Sequence, residues 1–245
     1  MIPKIIHYCW FGRSPLPNLA NKCIASWQKY LPDYEIKEWN EDNFDVNIIP
    51  YTAEAYKMRK YAFVSDYARF WILYNFGGLY FDTDVEIIRP MYDIIARGPF
   101  AGCEKEAGNG PGMLGVAPGL GLGAYANMPL YKEILDIYET QNFYIPANLK
   151  DMVTIVHITT NLLCKKGLID TNSIQQVAGV NIYPKEYMCP MDYDTGIIKL
   201  TSHTCCIHHY SSSWFGIKDK LRITVIRMIG PQLTSLMRKA KHLFC

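Results

Sequence analysis

The chain has 245 residues, 49% of them hydrophobic and 20% charged, enough for one α/β domain with a sizeable core or a core plus a small appendage. Its net charge of +2 is unevenly divided: residues 218–245 carry seven Lys/Arg against the single acid Asp219, a balance of +6, so the first 217 residues carry −4. No basic stripe with interleaved aromatics crosses the main body, which excludes nucleic acid as the expected partner, and no run reaches the ~18 apolar residues of a membrane span. Met1-Ile2-Pro3-Lys4 leads into a run too short and polar for a signal core, so no secretory leader is expected. The eight cysteines are scattered without a Cys-x-x-Cys spacing, so the expectation is a cytoplasmic protein with reduced thiols and no zinc site.

In chain order, residues 4–11 read as a buried strand ending at Trp10-Phe11-Gly12. Residues 18–30 then place Leu19, Cys23, Ala25, Trp27 and Tyr30 at helical spacing, and 34–39 alternate as a strand with one exposed face. This β-α-β opening predicts a mostly parallel sheet covered by helices, with ligand bound at the carboxyl ends of its strands. Residues 54–75 predict helix in two pieces, stopped by Gly77-Gly78. A short aromatic strand follows and carries Asp82-Thr83-Asp84, and an extended run from Val85 reaches Pro90. Residues 98–124, rich in Gly and Pro, predict short strands and either a mobile loop over a donor or acceptor or a plain surface loop, with no phosphate-binding Gly pattern. Helices are expected over 129–140 and 151–166, short strands over 180–207, and two basic helices over 218–229 and 231–243.

The chemistry concentrates at Asp82 and Asp84. Residues two apart on a strand share a face, so the two carboxylates are expected to converge on one point. Two hard oxygen ligands at a strand end suit Mg²⁺ or Mn²⁺ gripping a diphosphate. Asp66 and Arg69, three apart on the preceding helix, are neighbours. They sit among Phe63, Val64, Tyr67, Phe70 and Trp71, which points to a partly buried pair beside the same pocket rather than a solvated one. Trp10, at the end of the first strand, could stack on a base or fill the core. His208-His209-Tyr210-Ser211-Ser212-Ser213-Trp214 forms a second polar-aromatic cluster, in which a histidine could ligate the same metal and Ser213 and Trp214 could donate to phosphate oxygens.

Four ordered segments carry a resemblance: Ile6-His7-Tyr8-Cys9-Trp10-Phe11-Gly12, Ser65-Asp66-Tyr67-Ala68-Arg69, Tyr74 through Asp84, and His208 through Trp214. Together, over roughly residues 3–95 and 204–215, they resemble glycosyltransferase family 32. This Asp-x-Asp family includes initiating mannosyltransferases and capsular polysaccharide enzymes, and it is related to the catalytic domain of the large glucosylating toxins. The charge and apolar pattern set off a basic amphipathic helical extension over 218–245, and the resemblance implies a GT-A fold, taken over residues 1–217. It also implies a nucleotide-sugar donor, UDP-linked by family habit, a Mn²⁺ or Mg²⁺ ion and retention of anomeric configuration.

Carried over by position, Trp10 stacks on the base, and Ser65, Asp66 and Arg69 hold donor sugar and phosphate. Asp82, with Thr83 beside it, serves ribose and ion. Asp84 is the principal metal ligand and His208 completes the metal shell, with His209 the second choice. Ser213 and Trp214 touch the diphosphate. Many members begin a helix with Thr-Gly-Pro where this chain has Thr159-Thr160-Asn161, so no acceptor-side residue is assigned.

The expected acceptor is a glycan or lipid-linked saccharide in surface polysaccharide synthesis. The basic extension, which alternates cations with Leu, Ile and Met, is expected either to lie on the inner face of an anionic membrane or to pack on the body. Two rivals stand beside this reading. One is a sugar-nucleotide-binding module without turnover. The other is a haloacid-dehalogenase-like phosphatase, which Glu86 disfavours by standing where that motif takes Thr or Val.

Overall fold

The computed structural model describes residues 1–108, 114–146, 152–193 and 195–211. The expected helices at 218–229 and 231–243, the extension 218–245, and Ser213 and Trp214 lie outside the described residues.

Strand β1 (Ile5–Cys9) runs into α1 (Asn18–Tyr30) and back through β2 (Glu35–Trp39), as the opening pattern predicts. Pro17, extended at the N-cap, starts α1, and Ala20, Cys23 and Trp27 form its buried stripe. The next helical region is indeed two pieces, α2 (Pro50–Lys57) and α3 (Tyr61–Phe76). Its first piece begins before residue 54 because Pro50 occupies a first-turn position, where a missing N–H costs nothing. Helix α3 is apolar nearly all round, with nine buried residues, and this is what draws Asp66 and Arg69 out of water. Gly77 and Gly78 end it with φ of 64° and 100°. A Cβ on Gly78 would stand 2.7 Å from the Ile5 carbonyl oxygen, so glycine is required both for the turn and for the approach of the next strand.

Strands β3 (Gly78–Tyr80) and β4 (Val85–Ile87) are followed by α4 (Tyr92–Ala96) and β5 (Phe100–Gly102). A 3₁₀ turn (Pro118–Leu120) leads to β6 (Leu122–Ala124), α5 (Pro129–Glu139), α6 (Ile155–Lys165), β7 (Gln175–Val177), β8 (Val180–Tyr183), α7 (Lys185–Met188) and β9 (Cys206–His208). The main sheet has the order β2-β1-β3-β6-β5-β8-β7. Strands β1, β2, β3, β5 and β8 point one way, and β6 and β7 run antiparallel to their neighbours. The carboxyl ends of β1, β3, β5 and β8 therefore open along one edge, where Trp10, Asp82, Glu104 and Lys185 follow.

Alternation along the strands divides the core between the two faces. Cys9 and Tyr80 join the layer of α2, α3, α5 and α6, while Ile6, Tyr8, Leu79 and Phe81 join the layer of α1, α4 and β4. The antiparallel pair β4–β9 forms a separate small sheet. Trp27 ties it to α1 by donating its indole N–H to the Val85 carbonyl at 2.8 Å.

Candidate active site

The paired aspartates are not on a strand. Strand β3 ends at Tyr80, and the chain turns at Asp82, whose carbonyl accepts the Val85 N–H at 3.0 Å before β4 leaves for the second sheet. The expected convergence on one strand face is therefore replaced by divergence across a turn: Asp82 faces α3 and Asp84 faces β9. The physical reason is that β4 pairs with β9 rather than continuing beside β6.

On the α3 side, Arg69 is 3% exposed and its guanidinium is shared. One terminal nitrogen donates to Asp66 Oδ1 at 2.9 Å. Both reach Asp82, at 3.4 Å to Oδ2 and 3.4 Å to Oδ1. The third donor, Nε, bonds the Ser65 carbonyl at 3.0 Å, and the guanidinium lies 5.0 Å from the centre of the Tyr80 ring. Tyr80 in turn donates its hydroxyl to Asp82 Oδ1 at 3.1 Å. Burial pushes Asp66 up to about 7 against the pull of Arg69, while the carboxylates around Arg69 outweigh its burial and hold the guanidinium charged.

Gly119 closes this half from above. Its carbonyl accepts the Asp82 N–H at 3.1 Å. A Cβ there would enter the van der Waals shell of Asp82 Oδ2 and stand 3.2 Å from Arg69 Nη1. Sequence reasoning missed Gly119. It was one glycine among many, and only the approach of the 3₁₀ turn distinguishes it.

On the β9 side, Asp84 is buried and His208 Nε2 lies 3.3 Å from its Oδ1. Ser211 N–H donates to Oδ2 at 2.8 Å, delivered there by Tyr210, whose φ of 49° turns the chain back over Asp84. The Asp84 backbone carbonyl takes the His209 N–H at 2.9 Å. Burial disfavours both charges, yet their mutual attraction wins. Asp84 is held far below the ordinary carboxylate range, helped by the Ser211 hydrogen bond, and His208 is raised well above an ordinary imidazole. His209 faces elsewhere and bonds Glu86 Oε2 at 2.8 Å.

Of the expected metal ligands, the structure thus brings Asp84 and His208 together and gives Asp82 to Arg69 and Tyr80. Among the described residues no group of three side chains is poised to hold a metal ion. Two observations suit a cation held by few protein ligands. Asp84 and His208 present an oxygen and a nitrogen side by side, and the buried His208 Nδ1 has no hydrogen-bond partner among the described residues. A Mg²⁺-like ion keeps most of its shell for water and phosphate oxygens, so two protein ligands are compatible with it.

Trp10 stands half-buried at the sheet edge, its indole N–H on the Ser14 carbonyl at 2.6 Å. Ser65 is half-buried and spends its hydroxyl on the Tyr61 carbonyl at 3.2 Å. Thr83 is half-buried at the turn.

A helix-flanked, mostly parallel sheet thus carries an arginine-clamped Asp-x-Asp turn at its carboxyl edge. Residues 17–101 match the family described as glycosyltransferase sugar-binding region containing DXD motif. An uncharacterized glycosyltransferase of Acanthamoeba polyphaga mimivirus is 25% identical over 222 residues, 87% of this chain and 84% of that protein. Inositol phosphoceramide mannosyltransferase 1 of Schizosaccharomyces pombe is 28% identical over 110 residues, 40% of this chain but 33% of that longer protein. Among solved structures, the PaToxG glycosyltransferase superposes with a TM-score of 0.49 at 17% identity, covering 68% of this chain and 70% of that one. Over these stretches the chain is similar to glycosyltransferases that carry a DXD motif.

Proposed function

We propose that the protein is a retaining, divalent-metal-dependent glycosyltransferase that moves a sugar from a nucleotide sugar, with UDP as the favoured nucleotide, to a saccharide or lipid-linked saccharide. The observation that carries this reading is the division of the Asp-x-Asp turn, with Asp82 locked to Arg69 and Asp84 beside His208. Asp84 and His208 would hold Mn²⁺ or Mg²⁺, which when bound supplies Lewis-acid stabilisation of the departing diphosphate. Arg69 adds a fixed positive charge in a site where water is scarce, so it favours the charge that grows as the bond breaks. Asp82, oriented by Arg69, Tyr80 and the Gly119 carbonyl, is positioned to accept hydroxyl protons of ribose or donor sugar. Trp10 offers an aromatic face to the base.

With retention, the acceptor oxygen bonds the anomeric carbon on the face the phosphate leaves. The departing phosphate oxygen takes the acceptor's proton, so no protein nucleophile is required.

The test is release of nucleoside diphosphate from UDP-, GDP- and TDP-sugars with Mn²⁺ and with EDTA, preceded by a thermal-shift screen of the same donors. Mannosyl donors belong in the panel because one relative is a mannosyltransferase. Metal-dependent release, lost in a folded Asp84→Ala, supports the reading. Activity that survives EDTA overturns the metal, and donor binding without release makes the chain a binding module. A place in surface polysaccharide synthesis, with residues 218–245 touching an anionic membrane from the cytoplasmic side, is part of the same proposal, motivated by their +6 charge. Liposome binding unchanged on deletion of 218–245 would remove that part.

A further inference from the structure

We propose that Glu104 is the acceptor-binding carboxylate of this site, accepting hydrogen bonds from hydroxyls of the incoming saccharide. The inference deepens the glycosyl-transfer reading above and rests on it.

Strand β5 runs parallel to β3's direction, so its carboxyl end opens on the edge that carries Asp82. Cys103 there bridges to Val116, and the pairing continues one step further, with Glu104 N–H on the Gly115 carbonyl and Lys105 N–H on the Leu114 carbonyl, each at 2.9 Å. The backbone of Glu104 is thereby fixed on both sides. Its side chain lies over Gly115, which has a φ of 62° and no side chain of its own. A Cβ on Gly115 would stand 3.1 Å from Glu104 Cγ, 3.3 Å from Oε1 and 3.5 Å from Val156 at the start of α6. The glycine therefore makes the room in which the carboxylate rests.

The other carboxylates of the site are engaged. Asp66 and Asp82 share Arg69, Asp84 has His208 and Ser211, and Glu86 has Lys22 and His209. The half-buried side chain of Glu104 has no hydrogen bond or ion pair with a described residue. It is close enough to His208 and Tyr210 for its charge to be felt there, which sets it on the β9 side of the pocket. Burial raises its pKa, and Lys105, His208, His157 and Lys185 partly oppose that rise. A carboxylate is an acceptor-only group. It repels the donor's diphosphate and suits sugar hydroxyls, for which a charge-assisted hydrogen bond is the strong form of the contact.

The experiment uses the full chain with Mn²⁺ and whichever of UDP-glucose, UDP-galactose or GDP-mannose the wild type consumes. Methyl glycosides of glucose, galactose and mannose serve as acceptor probes. Glu104→Gln keeps size and fold, and it is expected to raise acceptor KM tenfold or more while donor KM stays within twofold. Gly115→Ala, which pushes the carboxylate aside, is expected to shift the same parameter in the same direction. If it fails to fold, Glu104→Gln carries the test. A parallel rise in donor KM or loss of Mn²⁺ affinity assigns Glu104 to donor or metal and overturns the proposal, as does an unchanged acceptor KM. A wild type that consumes a donor but responds to no glycoside overturns the saccharide contact. A wild type that consumes no nucleotide sugar instead refutes the glycosyl-transfer reading itself.

Discussion

Asp82 and Asp84 stand one residue apart, yet they belong to two differently built halves. Asp82 is held by Arg69, 13 residues upstream on the helix that feeds its own strand. Asp84 is held by His208, at the end of a strand of the second sheet, and by Ser211, 127 residues downstream and just past that strand. The first half is mostly a local device: helix, two-glycine stop, strand and turn inside residues 61–82, with Gly119 as its remote contribution. The second exists only once β9 has paired with β4. A local, buried, doubly paired arginine makes a rigid wall, whereas a remote histidine and a capping amide make a wall that depends on long-range pairing.

The sharpest way to break this contrast is to remove the arginine. Arg69→Met leaves Asp66 and Asp82 without their shared cation in a buried setting, so urea unfolding is expected to show a loss of about 3–5 kcal/mol, with activity abolished. A loss below about 1 kcal/mol would mean that the pair is solvated and that the first half is no more rigid than the second.

Acidification probes the same half from beneath. His7 is buried in β1, where its Nδ1 accepts the Trp39 indole N–H at 3.1 Å and its Nε2 faces the Gly77 carbonyl at 3.0 Å. Burial holds His7 neutral, its pKa lowered from 6.5 to about 4. The unfolded chain therefore binds the extra proton first. Stability is full above pH 6.5, declines as pH falls from 6.5 towards 4, and loses up to about 3 kcal/mol by that route. Unfolding midpoints at a series of pH values, compared with His7→Gln, isolate this contribution. A slope in the variant equal to that of the wild type would assign the acid sensitivity to other groups.

Gly119→Ala is the most selective lesion of the Asp82 half. Its methyl collides with Asp82 Oδ2, so the carboxylate must shift, at an expected cost of about 1–3 kcal/mol. Donor turnover should fall by about 10²-fold, because a misplacement of about 1 Å is enough to do so. Retention of full turnover would show that Asp82 does not need its observed pose.

Asp84→Asn is expected to cost least in stability, about 1 kcal/mol, because His208 can shed its proton when its partner is lost. It should still abolish the response of activity and melting temperature to Mn²⁺. The two halves would then be separable: one removed with a large stability loss, the other with a small one and the same loss of function.

Much of the first half was legible because its signals are short-range. Helix α1 matches its predicted span, the two-glycine stop falls where its φ values require it, and the crowding of aromatics around Asp66 and Arg69 announces their burial. The face-sharing of Asp82 and Asp84 was misread. Three strand residues followed by a turn look, in sequence, like one longer strand, and only the pairing partner decides where it ends. Glu104, Gly115 and Gly119 carried no motif, because a close approach between segments leaves no mark on the residues except the absence of a side chain.

By itself, the sequence pointed to the class of chemistry and singled out the carboxylates, arginine and histidine proposed to serve it. Hydrophobic spacing, glycine stops and the ordered motifs are properties of contiguous residues. The tertiary structure alone decided how those groups are divided. It placed Asp82 under Arg69 and Gly119, set Asp84 against His208, and left the Glu104 side chain without a partner among the described residues. The reason is that strand order and the β4–β9 pairing are set by burial and backbone hydrogen bonding between segments distant in the chain, which no local pattern encodes.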